Sequence, residues 1–436
     1  MAYLTKFFPS NLAQKAKKLR EVNFKRFIIF GIVFFCSKLI PFITPLFSSN
    51  FLKSVEDYGR LEYLLNAGTL LASFFILGLS SAYPYFNISL KQKTHSPFIL
   101  HSIIIFVFSG CSILIIYIFP SLNIFRIIFI GSVFGLQILF SSILKTEQKI
   151  SWAVVLDGGV VSVLLFYLFY LYGINNNNLN ENTFLFALFI YTILVLSSML
   201  LFLKTDHLLN ITKYKEVLKY GLPVFISSLL TTLITTSNRV LIEYFLDLKA
   251  VAYFSFYSRI TSVLVIIYQA IMFILFKRLY QEDLRKLDNL FLYLLMLFIL
   301  VSTLLLFILP GFVLQNFKIY QDTSDSLFSL LYILSAQKVF WVVTALLESI
   351  IYREKLATEI NYYLISIIVS IILVCYIAQF FGLLSLISIC LIQSLGIFLY
   401  CETQFFLIQK KTGIYFEKVK ALNRVLFLLT LIYIFI

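Results

Sequence analysis

Apolar residues in this chain fall into runs of about twenty, the length a helix needs to cross the roughly 30 Å hydrocarbon core of a bilayer. Such runs predict spans near 26–47, 61–84, 97–119, 122–144, 150–172 and 183–203. Six more follow near 220–246, 251–276, 289–312, 325–350, 358–379 and 383–407. A basic arm at 1–25 precedes the first six, and a polar, basic linker at 204–219 separates the sets. A basic segment at 408–436 follows, and its short apolar tail from Val425 to Ile436 is expected to rest in the membrane interface. The pattern predicts an all-α polytopic membrane protein of about twelve transmembrane helices in two six-helix halves.

Positive charge sets the orientation of these spans. With the first span starting inside, inner segments hold 26 Lys and Arg residues, while the outer loops hold only Lys53, Arg60, Lys249 and Lys318. The N-terminal arm and the linker are therefore expected on the cytoplasmic side. The two halves then share one orientation, a parallel repeat of the kind that carries a substrate path between its halves.

Composition agrees. Of 436 residues, 61% are hydrophobic and 13% charged, against about 45–50% and 25% in soluble domains. The mean hydropathy is +0.95. A net charge of +14 raises the question of nucleic acid. That partner is excluded because the basic residues sit in short loops between apolar runs. The five cysteines show no metal or disulfide spacing, no cofactor motif occurs, and positions 1–25 do not read as a cleavable signal.

Charged groups inside a span cost about 2.5–3.5 kcal/mol each, so they face a partner or a cavity. Five basic residues lie within the predicted spans: Lys38, Arg126, Arg239, Arg259 and Lys338. Arg126 is near enough to an end to snorkel. The other four are set against two deep acids, Asp157 and Glu348, a surplus that an anionic ligand would balance. Pairing within the protein is the alternative, Arg239 with Glu243 one turn on, or Lys338 with Asp157. Polar residues also recur at helical spacing: Glu62, Asn66, Thr69 and Ser73; Thr232, Thr236 and Arg239; Ser255, Arg259, Ser262 and Gln269. These stripes predict a hydrated, basic lumen. Pro41, Pro45 and Pro223 predict local loosening of their helices. No nucleophile, acid–base or nucleotide-binding signature is present, which argues against an enzyme.

The segments Ser54-Val-Glu-Asp-Tyr-Gly-Arg, Leu77-Gly-Leu-Ser-Ser-Ala, Tyr220-Gly-Leu-Pro-Val-Phe, Ser237-Asn-Arg-Val-Leu-Ile and Phe381-Gly-Leu-Leu-Ser-Leu carry a resemblance. The chain resembles Wzx-type O-antigen and polysaccharide flippases of the multidrug/oligosaccharidyl-lipid/polysaccharide (MOP) exporter superfamily. Asn238 departs from the aspartate that often precedes the arginine in such proteins. The resemblance implies a V-shaped pair of six-helix lobes in a bacterial inner membrane and translocation of an undecaprenyl-diphosphate-linked oligosaccharide. A polysaccharide polymerase and a chain-length regulator are the companion proteins it implies. On this reading Lys38, Arg239, Arg259 and Lys338, with Asn66 and Gln269, bind the substrate, and Asp157 and Glu348 are the candidates for ion coupling. The alternatives are a small-molecule or drug antiporter of the same superfamily and a polytopic lipid-linked glycosyltransferase or polymerase.

Overall fold

In the computed structural model the described residues are 31, 34–35, 37–52, 54–89, 92, 95–173, 181–203, 210–281, 283–312, 317, 328–354 and 356–435. Among them the regular structure is entirely helical. The first helix, α1, covers 37–51. The next are α2 (Val55–Ile76), α3 (Leu79–Pro84), α4 (Ser96–Ile118), α5 (Asn123–Thr146), α6 (Ile150–Asp157), α7 (Gly159–Gly173) and α8 (Glu181–Phe202). The second set is α9 (Ile211–Thr236), α10 (Asn238–Phe245), α11 (Leu248–Thr261), α12 (Val263–Gln281), α13 (Leu284–Phe312), α14 (Phe328–Arg353), α15 (Ala357–Phe380), α16 (Leu386–Thr412) and α17 (Glu417–Phe435).

Nine helices among the described residues are long and apolar enough to cross a bilayer, and eleven if each of two bent pairs counts as one span. The expected first span is described only from residue 31. Side chains such as Tyr117, Leu201, Phe307 and Phe380 stand outward from the bundle, where lipid is the matching solvent.

The helix starts are set locally. Ser54 accepts a bond from the Asp57 amide and Asp247 one from the Ala250 amide, so α2 and α11 begin with the same side-chain cap. Ser385 and Ser388 form a reciprocal box at the start of α16. The ends of α2 and α11 marked by Ser54 and Asp247 are called upper below, and the opposite end of the bundle lower.

Bends fall where the prolines do not. α9 runs unbroken through Pro223, and 37–51 is continuous across Pro41 and Pro45. The chain instead turns by 49° between α2 and α3 and by 54° between α6 and α7. At the first bend Leu77 and Gly78 both adopt left-handed backbone, with φ of 48° and 73°. A Cβ on Gly78 would lie 2.1 Å from the Gly221 carbonyl oxygen. The linker expected at 204–219 is shorter than the sequence indicates, because α9 already begins at Ile211. Positions 204–209 and the 1–25 arm lie outside the described residues.

Two groups of helices result. α5 is the hub of the first, touching α2, α4, α6 and α8, and α14 of the second, touching α11, α12, α13 and α16. They meet where α2 packs on α9, α10 and α11. The lower half of α9 also leans on the first group, through Tyr220 stacked on Tyr85 with 4.1 Å between ring centroids.

The tail is part of a longer helix that packs on the bundle. Glu417–Phe435 is a 19-residue helix, about 28 Å long, that returns alongside α16 and packs on α13 and α14. Phe427 stacks on Phe398 at 4.1 Å, and Asn423 and Thr430 are buried. Arg424 and Lys420 both reach Glu402 on α16.

Candidate functional site

The contact between the groups is centred on Glu62, about two turns into α2 and only 1% exposed. Its carboxylate is held by two arginines from the second group. Arg259 donates from Nε to Oε1 at 3.3 Å and from Nη2 to Oε2 at 3.2 Å, and Arg239 reaches Oε2 from Nη2 at 3.3 Å. Tyr58, one turn earlier on α2, donates its hydroxyl to Oε1 at 3.5 Å. Arg239 is itself placed by Ser255, whose Oγ accepts from Nε at 2.6 Å, and by the Phe254 ring 5.6 Å away. The guanidinium fork fits a carboxylate through two parallel bonds, which fixes orientation as well as charge.

Three elements bring this about. α2 and α11 cross closely because Gly59 lacks a side chain: a Cβ there would sit 1.9 Å from the Leu248 carbonyl oxygen. The break between α9 and α10 at Ser237 sets Arg239 at the head of a short helix. Lys338 on α14 lies within electrostatic reach of both arginines. Two arginines thus converge on one acid, with Lys338 a third cation near both of them.

The sequence reading needs correction here. Glu62 is a third deep acid, not merely one position in a polar stripe, so the basic surplus is smaller than four against two. Arg239 turns to Glu62 of the other group rather than depending on Glu243. Asp157 pairs with Lys145 at 2.9 Å rather than with Lys338. Arg126 does not snorkel: it is buried and bound to Glu181, which also holds Arg60 at 2.8 Å. Lys38 stands apart from the other three cations, beside the Phe34 ring at 5.8 Å and within reach of Asp157 and Lys145.

That second polar centre is built around the α6–α7 bend. Asp157 accepts from Ser141 and Lys145. The broken helix ladder frees the Asp157 carbonyl and the Val160 amide, and the Gln137 amide satisfies both, at 2.9 and 3.0 Å. Tyr191 donates to the same Gln137 oxygen at 2.9 Å. Gln137 carried no signal in the sequence, where a lone amide in an apolar run has no visible partner.

The remaining candidates lie nearer the lower end than Glu62. Asn66 is buried one turn beneath it, its side-chain oxygen without a hydrogen-bond partner among the described residues. Gln269 is half-buried on α12, about 15 Å from Arg259 along the chain direction. Glu348 lines a cavity of about 840 Å³ in the lower half, with Tyr220, Ser227, Thr231, Thr232 and Asn361. Among the described residues no Lys or Arg lines that cavity.

No protein-family profile matches the chain, and no curated protein sequence does. Solved structures do match. An inward-facing multidrug-resistance transporter of the MATE family, in the MOP superfamily, superposes with a TM-score of 0.56 at 15% identity, over 87% of this chain and 96% of that one. The MATE multidrug transporter DinF-BH gives 0.55 at 14%, over 89% and 94%. A MOP superfamily transporter from Pyrococcus furiosus gives 0.51 at 12%, over 88% and 95%, and its structure is described as having a pocket of reverse polarity that suggests a different function. At such identities the likeness establishes the fold. The chain is a multi-pass, all-helical membrane protein with the fold of MOP transporters.

Proposed function

We propose that the chain is a flippase that moves an undecaprenyl-diphosphate-linked oligosaccharide across the bacterial inner membrane by alternating access, from the cytoplasmic to the periplasmic leaflet. The observation that carries this reading is the convergence of Arg239 and Arg259 on the single carboxylate of Glu62, between the two helix groups, with Lys338 within electrostatic reach of both arginines. A diphosphate and a hydroxyl-rich glycan cannot cross hydrocarbon unsatisfied, at several kcal/mol per polar group. A basic, partly polar path between two lobes holds the head while the lipid tail stays in the bilayer. On this reading the Lys and Arg distribution supports a periplasmic upper end, and the Gly59–Leu248 crossing and the Glu62 ion pairs hold the outer side closed. Lys38 serves the same anion from the first lobe, Asn66 and Gln269 contact the polar head, and Asp157 and Glu348 are the candidates for ion coupling.

One observation favours the drug-antiporter reading: among the described residues Glu348 is the only carboxylate lining the 840 Å³ cavity and no Lys or Arg lines it, a setting that suits a cationic ligand. Reconstitution in proteoliposomes separates the two. Translocation of a labelled lipid-linked oligosaccharide, lowered by alanine at Lys38, Arg239, Arg259 and Lys338 with protein levels matched, is the expected result. Unchanged translocation in all four variants, or transport of cationic dyes alone, overturns the flippase reading.

A further inference from the structure

We infer that Glu62 is a built-in stand-in for the anionic head of the transported molecule, and that an incoming anion must replace it on Arg259 before the upper ends of the lobes can part. The inference rests on the proposed function and adds its gating step. Both carboxylate oxygens of Glu62 are occupied: Oε1 by Tyr58 and Arg259 Nε, Oε2 by Arg259 Nη2 and Arg239 Nη2. Two guanidinium groups around one pair of anionic oxygens is also the arrangement that receives a phosphate. The acid belongs to the first lobe and both arginines to the second, so the ion pair is at once an occupied anion site and a bolt across the upper end.

Opening removes the acid from a site where it is 1% exposed. Arg239 then keeps Ser255 and has Glu243 one turn along its own helix. Arg259 has no acid within a helical turn of it, and Lys338 adds to its unbalanced charge. Breaking a buried pair with one partner unreplaced disfavours the open state by roughly 100-fold or more. An anion on Arg259 restores the balance and removes that factor. The empty protein therefore stays shut on the upper side, which prevents an unproductive cycle, and the anion releases it.

The experiment uses the full chain in nanodiscs, with Cys36 and Cys111 replaced by Ser and spin labels at Asp57→Cys and Lys249→Cys. Both labelled positions are exposed and flank the Gly59–Leu248 contact. Without ligand a single short distance is expected. Farnesyl diphosphate is expected to add a longer one and farnesol is not, while Glu62→Gln shows the longer distance with no anion present. Opening by inorganic diphosphate as well supports the exchange with the free anion as sufficient trigger. Opening by farnesyl diphosphate alone supports it with a lipid-borne anion. The exchange is overturned if farnesol opens the protein as fully as farnesyl diphosphate, if neither does, or if folded Glu62→Gln stays as closed as the parent. Should Glu62→Gln not be recovered folded, the comparison of the two farnesyl compounds on the parent decides. Opening by farnesyl diphosphate without oligosaccharide transport leaves the exchange standing and removes the flippase reading. Transport with no anion-dependent opening does the reverse.

Discussion

Gly59→Ala perturbs the closest approach of the two lobes without touching a charge. The new methyl carbon would start 1.9 Å from the Leu248 carbonyl oxygen and 3.2 Å from the Ala252 amide nitrogen, both backbone atoms that cannot rotate away. Relief to an ordinary carbon–oxygen separation of about 3.3 Å requires α2 and α11 to move apart by about 1.4 Å. Glu62 lies three residues further along the same helix, so its 3.2 Å contact with Arg259 would stretch to about 4.6 Å. Overpacking of this kind costs about 1–3 kcal/mol. The helix gains up to about 1 kcal/mol from replacing glycine, leaving the closed state weaker by about 1–2 kcal/mol. Distances between labels at positions 57 and 249 without ligand, and thermal unfolding in detergent, measure the effect. Gly110→Ala is the control, since nothing lies within 4 Å of its added carbon and it sits inside α4. It is expected to be neutral or slightly stabilising. A Gly59→Ala protein with the parental distance distribution and the melting behaviour of Gly110→Ala would refute the reasoning.

Two other substitutions probe the frame. His101 bonds the Phe75 carbonyl through Nε2 at 2.6 Å, so its Nδ1 accepts from the Tyr214 hydroxyl at 2.8 Å and ties the lower half of α9 to the first lobe. Tyr214→Phe is expected to lower stability by about 1–3 kcal/mol, read as a reduced unfolding midpoint; an unchanged midpoint means this tie carries no load. Phe427→Ala removes the stack on Phe398 and is expected to cost about 0.5–1.5 kcal/mol beyond the lost contact area. Protease sensitivity of the region after Thr412 should rise with it, and resistance equal to the parent would place the tail helix outside the cooperative unit.

The sequence by itself determined the spans and their polar faces. Bilayer thickness fixes how long an apolar run must be, and that constraint is local, so α4, α5, α8, α13, α15 and α16 begin and end within a few residues of the apolar runs that predict them. The stripe Glu62, Asn66, Thr69 and Ser73 is equally local, since helical spacing alone puts those residues on one face. The helix that contains the tail after Val425 is not legible in the apolar run, because three of the four charges within Glu417–Arg424, Lys418, Lys420 and Arg424, are answered by Asn289 and Glu402 of other helices. The bends were misplaced for a related reason. Proline is visible in a sequence, whereas the turn at Gly78 depends on how closely Gly221 approaches it.

Only the tertiary structure decided which charge meets which. Glu62 and Arg259 are 197 residues apart in sequence, and nothing in either neighbourhood names the other. Of four deep cations counted along the chain, Arg239 and Arg259 share one acid, Lys338 lies near both arginines, and Lys38 is separate, within reach of Asp157 and Lys145. Coulombic pairing follows distance in space and burial from water, and both are set by which helices cross. Spacing along the chain fixes a residue's face and depth; the Gly59 crossing turned one such position into the bolt between the lobes.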